Sequence, residues 1–331
     1  MLARVSTFAI DGVDPRQVWV EVDIRSGLPA FTIVGLGDAA VRESRERTRA
    51  AILNSGFKFP EGRVTANLAP AFLRKAGPGF DAALALAVLA ASGQIPTDEL
   101  EAYAVFGELS LGGEMRDSPG VLAVAEGARR AGFARLIVPR ERAGEASLVE
   151  GIAVVGVERL REAAEIVMGA DPRPVPSSPG NVSPVARPEP DLVDVRGQAA
   201  AVFALQVAAA GGHNLLFEGA PGTGKTMLAR RVPSILPGMT QAEALEVTRI
   251  HSIAGSHSGG LIAARPFRAP HHTISPAGLV GGGTPPRPGE VSLATPRVSK
   301  RRLETKPGRL LPCGAWSRRR RSTQLRSSFV I

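Results

Sequence analysis

Along the first 170 residues the apolar positions switch repeatedly between two periods. In "VWVEVDI" (18–24) Val18, Val20, Val22 and Ile24 fall on one face and Trp19, Glu21 and Asp23 on the other, the period-two pattern of a half-buried strand. "FTIVGL" (31–36) predicts a buried strand. "DAAVRESRERTRAAILNSG" (38–56) opens with Asp38 at the N-cap position and closes on Gly56, as a helix with a charged outer face does. A strand follows over 63–69, an apolar helix over 80–92, a strand over 103–109, a helix near 119–131 and a strand over 135–139. The alternation predicts an α/β domain spanning Met1–Gly169.

The pattern then breaks. "ADPRPVPSSPGNVSPVARPEP" (170–190) is dense in proline and has no apolar period, so it reads as a semi-extended linker. A second domain begins near Asp191, with a helix over 198–212, a strand over 213–219 and a helix over 225–236. Two domains suit a chain of 331 residues at the usual ~150 residues each. Composition adds little beyond solubility: 44% apolar and 21% charged. The longest apolar run, Ala82–Ala91, is well below the ~18 residues that would span a bilayer. The N-terminus lacks the layout of a secretory leader. A single cysteine, Cys313, excludes an internal disulfide framework and fits a reducing compartment. The expectation is a cytoplasmic protein without a membrane partner.

Net charge is +9, and its location matters. Residues 295–331 hold 11 Lys/Arg and one acid, Glu304, for a net of +10; residues 1–294 sum to −1. The basic character belongs to the tail alone.

The sharpest chemical signal is "GAPGTGKT", which fits the phosphate-loop pattern G-x-x-x-x-G-K-[ST]. Gly219, Gly222 and Gly224 permit backbone conformations that aim amide N–H groups at phosphate oxygens. Ala220, Pro221 and Thr223 complete the loop. Lys225 brings a positive charge to the β- and γ-phosphates, and the Thr226 hydroxyl can ligate Mg²⁺. The helix after the loop would add its N-terminal dipole. An apolar strand before and a helix after give the loop its required setting, so ATP with Mg²⁺ is the expected ligand. The pair His271 and His272 invites a metal reading, but no Cys or His stands at zinc spacing, which favours packing or hydrogen bonding.

"DVRGQAAAVFALQVAAAGGHNLLFEGAPGTGKTMLARR" resembles the start of the AAA+ module of magnesium-chelatase-like ATPases, specifically the YifB/ComM group. "IHSIAG" (250–255), "RPFRAPHHTISPAGLVGGGTPPRPGEVSLA" (265–294) and "GLPAFTIVGLGDAAVRESRERTRAAILNSG" (27–56) resemble that group's further signatures. The resemblance implies a ring-forming ATPase, usually a homo-hexamer, and for ComM-type members a helicase driving DNA branch migration in transformation. It also implies that Gln198 lies near the adenine. A magnesium-insertion motor shares the module, but such motors begin close to it and lack a long N-terminal domain. A non-enzymatic nucleotide- or DNA-binding protein is the third reading.

The N-terminal domain itself resembles the Lon protease fold. "GELSLGGEMRDSPGVLAVAEGARRAGFARLIVP" (107–139) is similar to the Lon segment bearing the catalytic lysine, and "KAGPGFDAA" (75–83) to that bearing its serine. Aligned without gaps, the serine falls on Gly79 and the lysine on Leu122, neither of which can do that chemistry. Ser118 and Lys75 are nearby in sequence, and read as a turn residue and a solvated charge. No peptidase activity is expected, and the domain is assigned as a docking or assembly platform. The whole is therefore an inactive Lon-like domain (1–169), a linker (170–190), the N-terminal part of an AAA+ parallel-sheet module (191–294) and a basic, disordered tail (295–331).

After Ala294 the resemblance stops in mid-motif. The family continues with an apolar strand ending in Asp-Glu, which holds Mg²⁺ and polarises the attacking water. No apolar run in 295–331 leads to an acid, and the polar sensor, arginine finger and lid have no counterpart. The catalytic set is incomplete in these residues. One reading of the tail is a nucleic-acid-binding arm, with "SKRR" and "SRRRR" neutralising phosphates; the other is a frame change near codon 294 that leaves a truncated, hydrolysis-deficient chain. The arm reading predicts weak, sequence-independent DNA binding that falls steeply with salt. In a gel-shift titration the full chain should bind and a chain ending at Ala294 should not; equal affinity of the two would refute the tail as the contact.

Overall fold

A computed structural model describes residues 2–35, 37–77, 79–172, 175, 190–257, 259–271, 273–283 and 286–294, with the backbone of 327–330. Most of the linker, the rest of the tail and His272 lie outside the described residues. The chain forms two compact units: Met1–Val182 with Leu245–Ile262 and Pro270–Leu293, and Ser183–Ala244 with Ala263–Ala269 and Ala294–Ile331.

The first unit is built on β1 (Leu2–Asp11), β2 (Asp14–Arg25), β3 (Ala30–Val34), α1 (Ala39–Asn54), β4 (Arg63–Ala69), α2 (Asp81–Ala91), α3 (Thr97–Glu101) and β5 (Tyr103–Val105). A short hairpin, β6 (Glu108–Leu109) and β7 (Met115–Arg116), leads to α4 (Val121–Arg130), β8 (Arg135–Pro139), α5 (Arg140–Ala146), β9 (Ala153–Val157) and α6 (Leu160–Val167). Seven strands make one sheet in the order β3-β4-β2-β1-β5-β8-β9. Its β4-β2-β1 centre is antiparallel and its two flanks are parallel. The α/β expectation is met, with a mixed rather than wholly parallel sheet.

Strand β1 is not among the predicted elements, for a physical reason. Val5 to Ala9 are all buried, because a central strand covered on both faces loses the alternation that marks a half-exposed one. Its clue is the turn: Asp11 pairs with Asp14 around Gly12-Val13, and Gly12 has φ +64°, which a two-residue hairpin loop demands. Helices α1, α2 and α6 pack on the face carrying Val5, Val20 and Ile137. Helices α4 and α5 pack on the face carrying Phe8, Leu136 and Val138.

Every residue of α2 is buried, including Asp81. Its carboxylate accepts from Arg47 Nε at 2.7 Å and Nη2 at 3.2 Å, from the Leu109 amide at 3.2 Å and from the Ser44 hydroxyl. The hydrogen bond to Asp81 raises the pKa of the Arg47 guanidinium. On the other face Arg142, 3% exposed, binds Asp117 through Nη2 at 2.9 Å and Glu145 through Nη1 at 2.9 Å. The same guanidinium holds the Asp117 carboxyl below its ordinary 3.8. Asp117 therefore adds stability above that value, and the contribution is lost as pH falls through its lowered folded-state pKa. Lys75 corrects the sequence reading. It is fully buried, not solvated; its ammonium donates to the Pro70 carbonyl, and desolvation lowers its pKa.

The second unit contains α7 (Ala199–Gly211), β10 (Leu216–Gly219), α8 (Lys225–Ala229) and α9 (Val232–Ile235). The helix expected over 225–236 is two pieces. Pro233 has no N–H to give and its ring clashes with the carbonyl four residues back, which breaks a helix there. Leu192, Leu205, Leu228 and Val232 form the unit's small core. Phe203 and Val207 of α7 and Leu216 of β10 stay exposed. The described ladder of β10 is antiparallel, with the backbone of Ser327–Val330. Helix α10 (Gln241–Ile253) follows, its residues from Leu245 belonging to the first unit.

Asp81→Ala should cost about 3 kcal/mol, since deleting one member of a buried pair strands the other. A urea midpoint shift with unchanged slope would report it; a loss below about 1 kcal/mol would mean that Arg47 finds water as easily as it finds Asp81.

Candidate functional site

The phosphate loop joins β10 to α8. Gly222 and Gly224 have φ +81° and +82°, conformations that L side chains rarely adopt. Beyond its chain neighbours, no described atom lies within 4 Å of where a Cβ would project from Gly222, so its positive φ and not crowding calls for glycine there. Thr223 Oγ1 donates to the Ala220 carbonyl at 2.9 Å and closes the turn. Lys225 is 8% exposed, and its ammonium donates to the carbonyls of Gly219 at 3.1 Å and Ala220 at 2.7 Å and to Thr223 Oγ1 at 3.2 Å. These three acceptors are neutral oxygens, so they solvate the charge without cancelling it. An anion such as a phosphate fits beside them. Thr226 and Pro221 are exposed. The dipole expectation weakens here, because α8 is only five residues long.

Gln198 stands at the N-terminal end of α7 with φ +54°. Its Nε2 donates to the Thr223 carbonyl at 3.0 Å. The structure thus brings Gln198 and the loop residues Gly219–Thr226 together. His271 belongs to the first unit and bonds Thr273 Oγ1 through Nδ1 at 2.7 Å. No cluster of three metal-ligating side chains occurs among the described residues.

The positions inferred for a Lon-type dyad are filled. A Cβ on Gly79 would stand 2.5 Å from Phe106 Cε2 and 2.7 Å from Cζ. Leu122 is fully buried in the core with Phe8 and Leu136. Ser118 is a buried turn residue; its hydroxyl accepts from the Glu108 amide and donates to the Arg116 carbonyl, both at 3.1 Å. A 720 Å³ crevice opens at the carboxyl ends of β8 and β9, lined in part by Glu108, Arg116, Arg140 and Arg159. Arg140 faces Glu158 at 3.5 Å and Arg159 faces Glu114 at 3.3 Å, so two of its three arginines are already paired. Burial, with Asp81 adding to it, raises the Glu108 carboxyl. The buried charges Asp81 and Arg142 were not singled out by sequence. An acid inside the apolar run "FDAALALAVLAA" was the available signal for the first.

A family model for magnesium chelatase, subunit ChlI, matches residues 191–298, and one for subunit ChlI of Mg-chelatase matches 20–142. The first covers the phosphate loop with Gln198, and the second most of the mixed sheet. Protein Rv2897c of Mycobacterium tuberculosis is 47% identical over 296 residues, covering 88% of this chain and 58% of its own. YifB of Salmonella typhimurium is 44% identical over 294 residues, with the same coverages. Competence protein ComM of Haemophilus influenzae is 42% identical over 301 residues, covering 89% and 58%. The chain is a YifB/ComM-type, magnesium-chelatase-like protein. It spans 58% of the length of these relatives. The YifB/ComM likeness runs continuously through both units, and no helix among the described residues is long and apolar enough to cross a membrane.

Restoring dyad identities should not restore a site. Gly79→Ser should destabilise the first unit by about 1–3 kcal/mol through overpacking against Phe106. Casein cleavage by Gly79→Ser combined with Leu122→Lys, at wild-type stability, would show that the cavity is larger than the ring contact allows.

Proposed function

We propose that this YifB/ComM-type chain binds ATP with Mg²⁺ through Gly219–Thr226. The observation that carries the reading is the buried Lys225 ammonium held on neutral oxygens within a loop shaped by the positive φ of Gly222 and Gly224. Lys225 would meet the β- and γ-phosphates, backbone N–H groups of the loop would donate to phosphate oxygens, the Thr226 hydroxyl would hold Mg²⁺, and Gln198 would flank the adenine. The chemistry Mg²⁺ would supply beside Thr226 is to offset the negative charge of the phosphates. Within the full-length relatives, the module is proposed to power a cytoplasmic homo-hexameric DNA motor, a branch-migrating helicase of transformation or recombination. The name of the Haemophilus relative, a competence protein, supports that direction. Both family models that match the chain carry magnesium-chelatase names, which supports magnesium insertion as the second reading.

Turnover is a separate matter. Hydrolysis needs a carboxylate beside Mg²⁺ and an arginine finger, the latter typically worth ~10³–10⁵ in rate. Neither has a counterpart in residues 295–331, so these 331 residues are proposed to be a truncated form that binds nucleotide without hydrolysing it at a family rate. Lys225→Ala should weaken binding of a fluorescent ATP analogue by about tenfold or more while leaving a background turnover unchanged. Family-level hydrolysis by the wild-type chain, abolished by Lys225→Ala, would overturn the deficiency; undiminished binding by the variant would overturn the site.

A further inference from the structure

The stretch "IHSIAG" and its neighbours, 245–262, follow the phosphate-loop helices in sequence yet take no part in the loop's geometry. They belong to the first unit. There Thr248, Ile250 and Ser252 are wholly buried. The Gly120 amide donates to Ser252 Oγ at 3.1 Å. Gly120 has φ +85°, and a Cβ on it would stand 2.2 Å from Ile10 Cδ1, so the position admits only glycine. Arg249 Nη1 binds Glu126 Oε2 on α4 at 2.9 Å. Arg142, already oriented by Asp117 and Glu145, donates from Nη1 to the His257 carbonyl at 2.7 Å. Leu245 packs against the core around Phe8 and Leu122. The segment is also tied to itself, with the Ile262 amide donating to Thr248 Oγ1 at 2.9 Å.

The grip is part apolar and part polar: Leu245 packs on the core and Val247 and Ile250 are buried, while hydrogen bonds and one ion pair tie Arg249, Ser252 and His257 to the domain. Arg249, Glu126, Ser252 and the Gly120 amide can each exchange their partner for water, whereas a wholly apolar seam would resist separation. The docked state also carries a cost, because Arg249 Nε is buried with no hydrogen-bond partner among the described residues. We propose that the N-terminal domain is a releasable anchor for the helix that follows the phosphate loop. The surface made by Gly120, Glu126 and Arg142 grips residues 249–257, and lets them go without unfolding the sheet. The assignment gives the "IHSIAG" stretch a positional role, and it does not depend on nucleotide binding at the loop.

Hydrogen exchange of the full chain, read by mass spectrometry, tests it. In the wild type the amides of 246–257 should exchange through an opening of lower free energy than the one that exposes α2. Arg249→Glu and Glu126→Arg should each speed exchange of 246–257 on the order of tenfold, with α2 unchanged, and the double reversal should recover most of the protection. If a reversal also speeds α2, and so has damaged the fold, Ser252→Ala supplies the reading; it removes only the acceptor for Gly120 and should still speed 246–257 selectively. Exchange of 246–257 only together with α2 in the wild type would overturn the proposal. So would variants that leave 246–257 unchanged, or a double reversal no better than the sum of its parts.

Discussion

Helix α2 has no solvent face, so its one carboxylate must be satisfied inside the protein. Asp81 sits at the first residue of that helix, and the fold brings it a guanidinium from α1, a hydroxyl from Ser44 and an amide from β6. Two separated pieces of chain, α1 and β6, therefore converge on one anion. An isolated charge in that position would cost several kcal/mol even after relaxation. The requirement fixes how α1 lies across α2 and where the β6 hairpin begins. The hairpin in turn leads into Asp117 and Gly120, which hold Arg142 and Ser252. Much of the first unit's polar interior thus follows from burying a single acidic residue.

The same hairpin region borders the positions, Gly79 and Leu122, at which the sequence resemblance put a peptidase dyad. Phe106 packs against Gly79, and Leu122 is buried in the same core layer as Phe106. Buried polar groups nearby are committed to one another: Ser118 to two backbone groups, and Arg142 to two carboxylates and a carbonyl. A nucleophile needs an adjacent base and space for a substrate. Here the space is filled by a ring, and the polar atoms are spent on holding loops in place.

Much of this was legible in the sequence, and what was not has identifiable causes. Strand β2, helix α1 with its Asp38 cap, and strand β4 declare themselves by period and by capping chemistry, since one face of each meets water. Strand β1 hides because it is buried on both sides, where alternation carries no information. The break at Pro233 was legible in principle; the apolar spacing of "KTMLARRVPSIL" outweighed it in the reading, although proline removes a helix hydrogen bond outright. Lys75 looks like an exposed charge because lysine almost always is one, and nothing local signals its burial. The loop over Gly219–Thr226 stands out in the sequence because eight consecutive residues carry its pattern. The attachment of 249–257 to Gly120 and Arg142 does not, because it joins residues more than a hundred apart.

That contrast bears on how the second unit can work with so small a core. Among the described residues Phe203, Val207 and Leu216 remain exposed, and Leu192, Leu205, Leu228 and Val232 form the buried cluster. A site assembled from distant strands could not be held by so little packing. The phosphate loop can, since its shape rests on short-range bonds: Thr223 to Ala220, Lys225 to Gly219 and Ala220, and one reach from Gln198 to Thr223. Binding of a phosphate draws on those local amides and that one ammonium. Hydrolysis draws on charges placed from outside the loop, and so on packing that these local bonds do not provide. Affinity and turnover in this fold rest on different ranges of interaction, and a chain can keep the first while lacking the second.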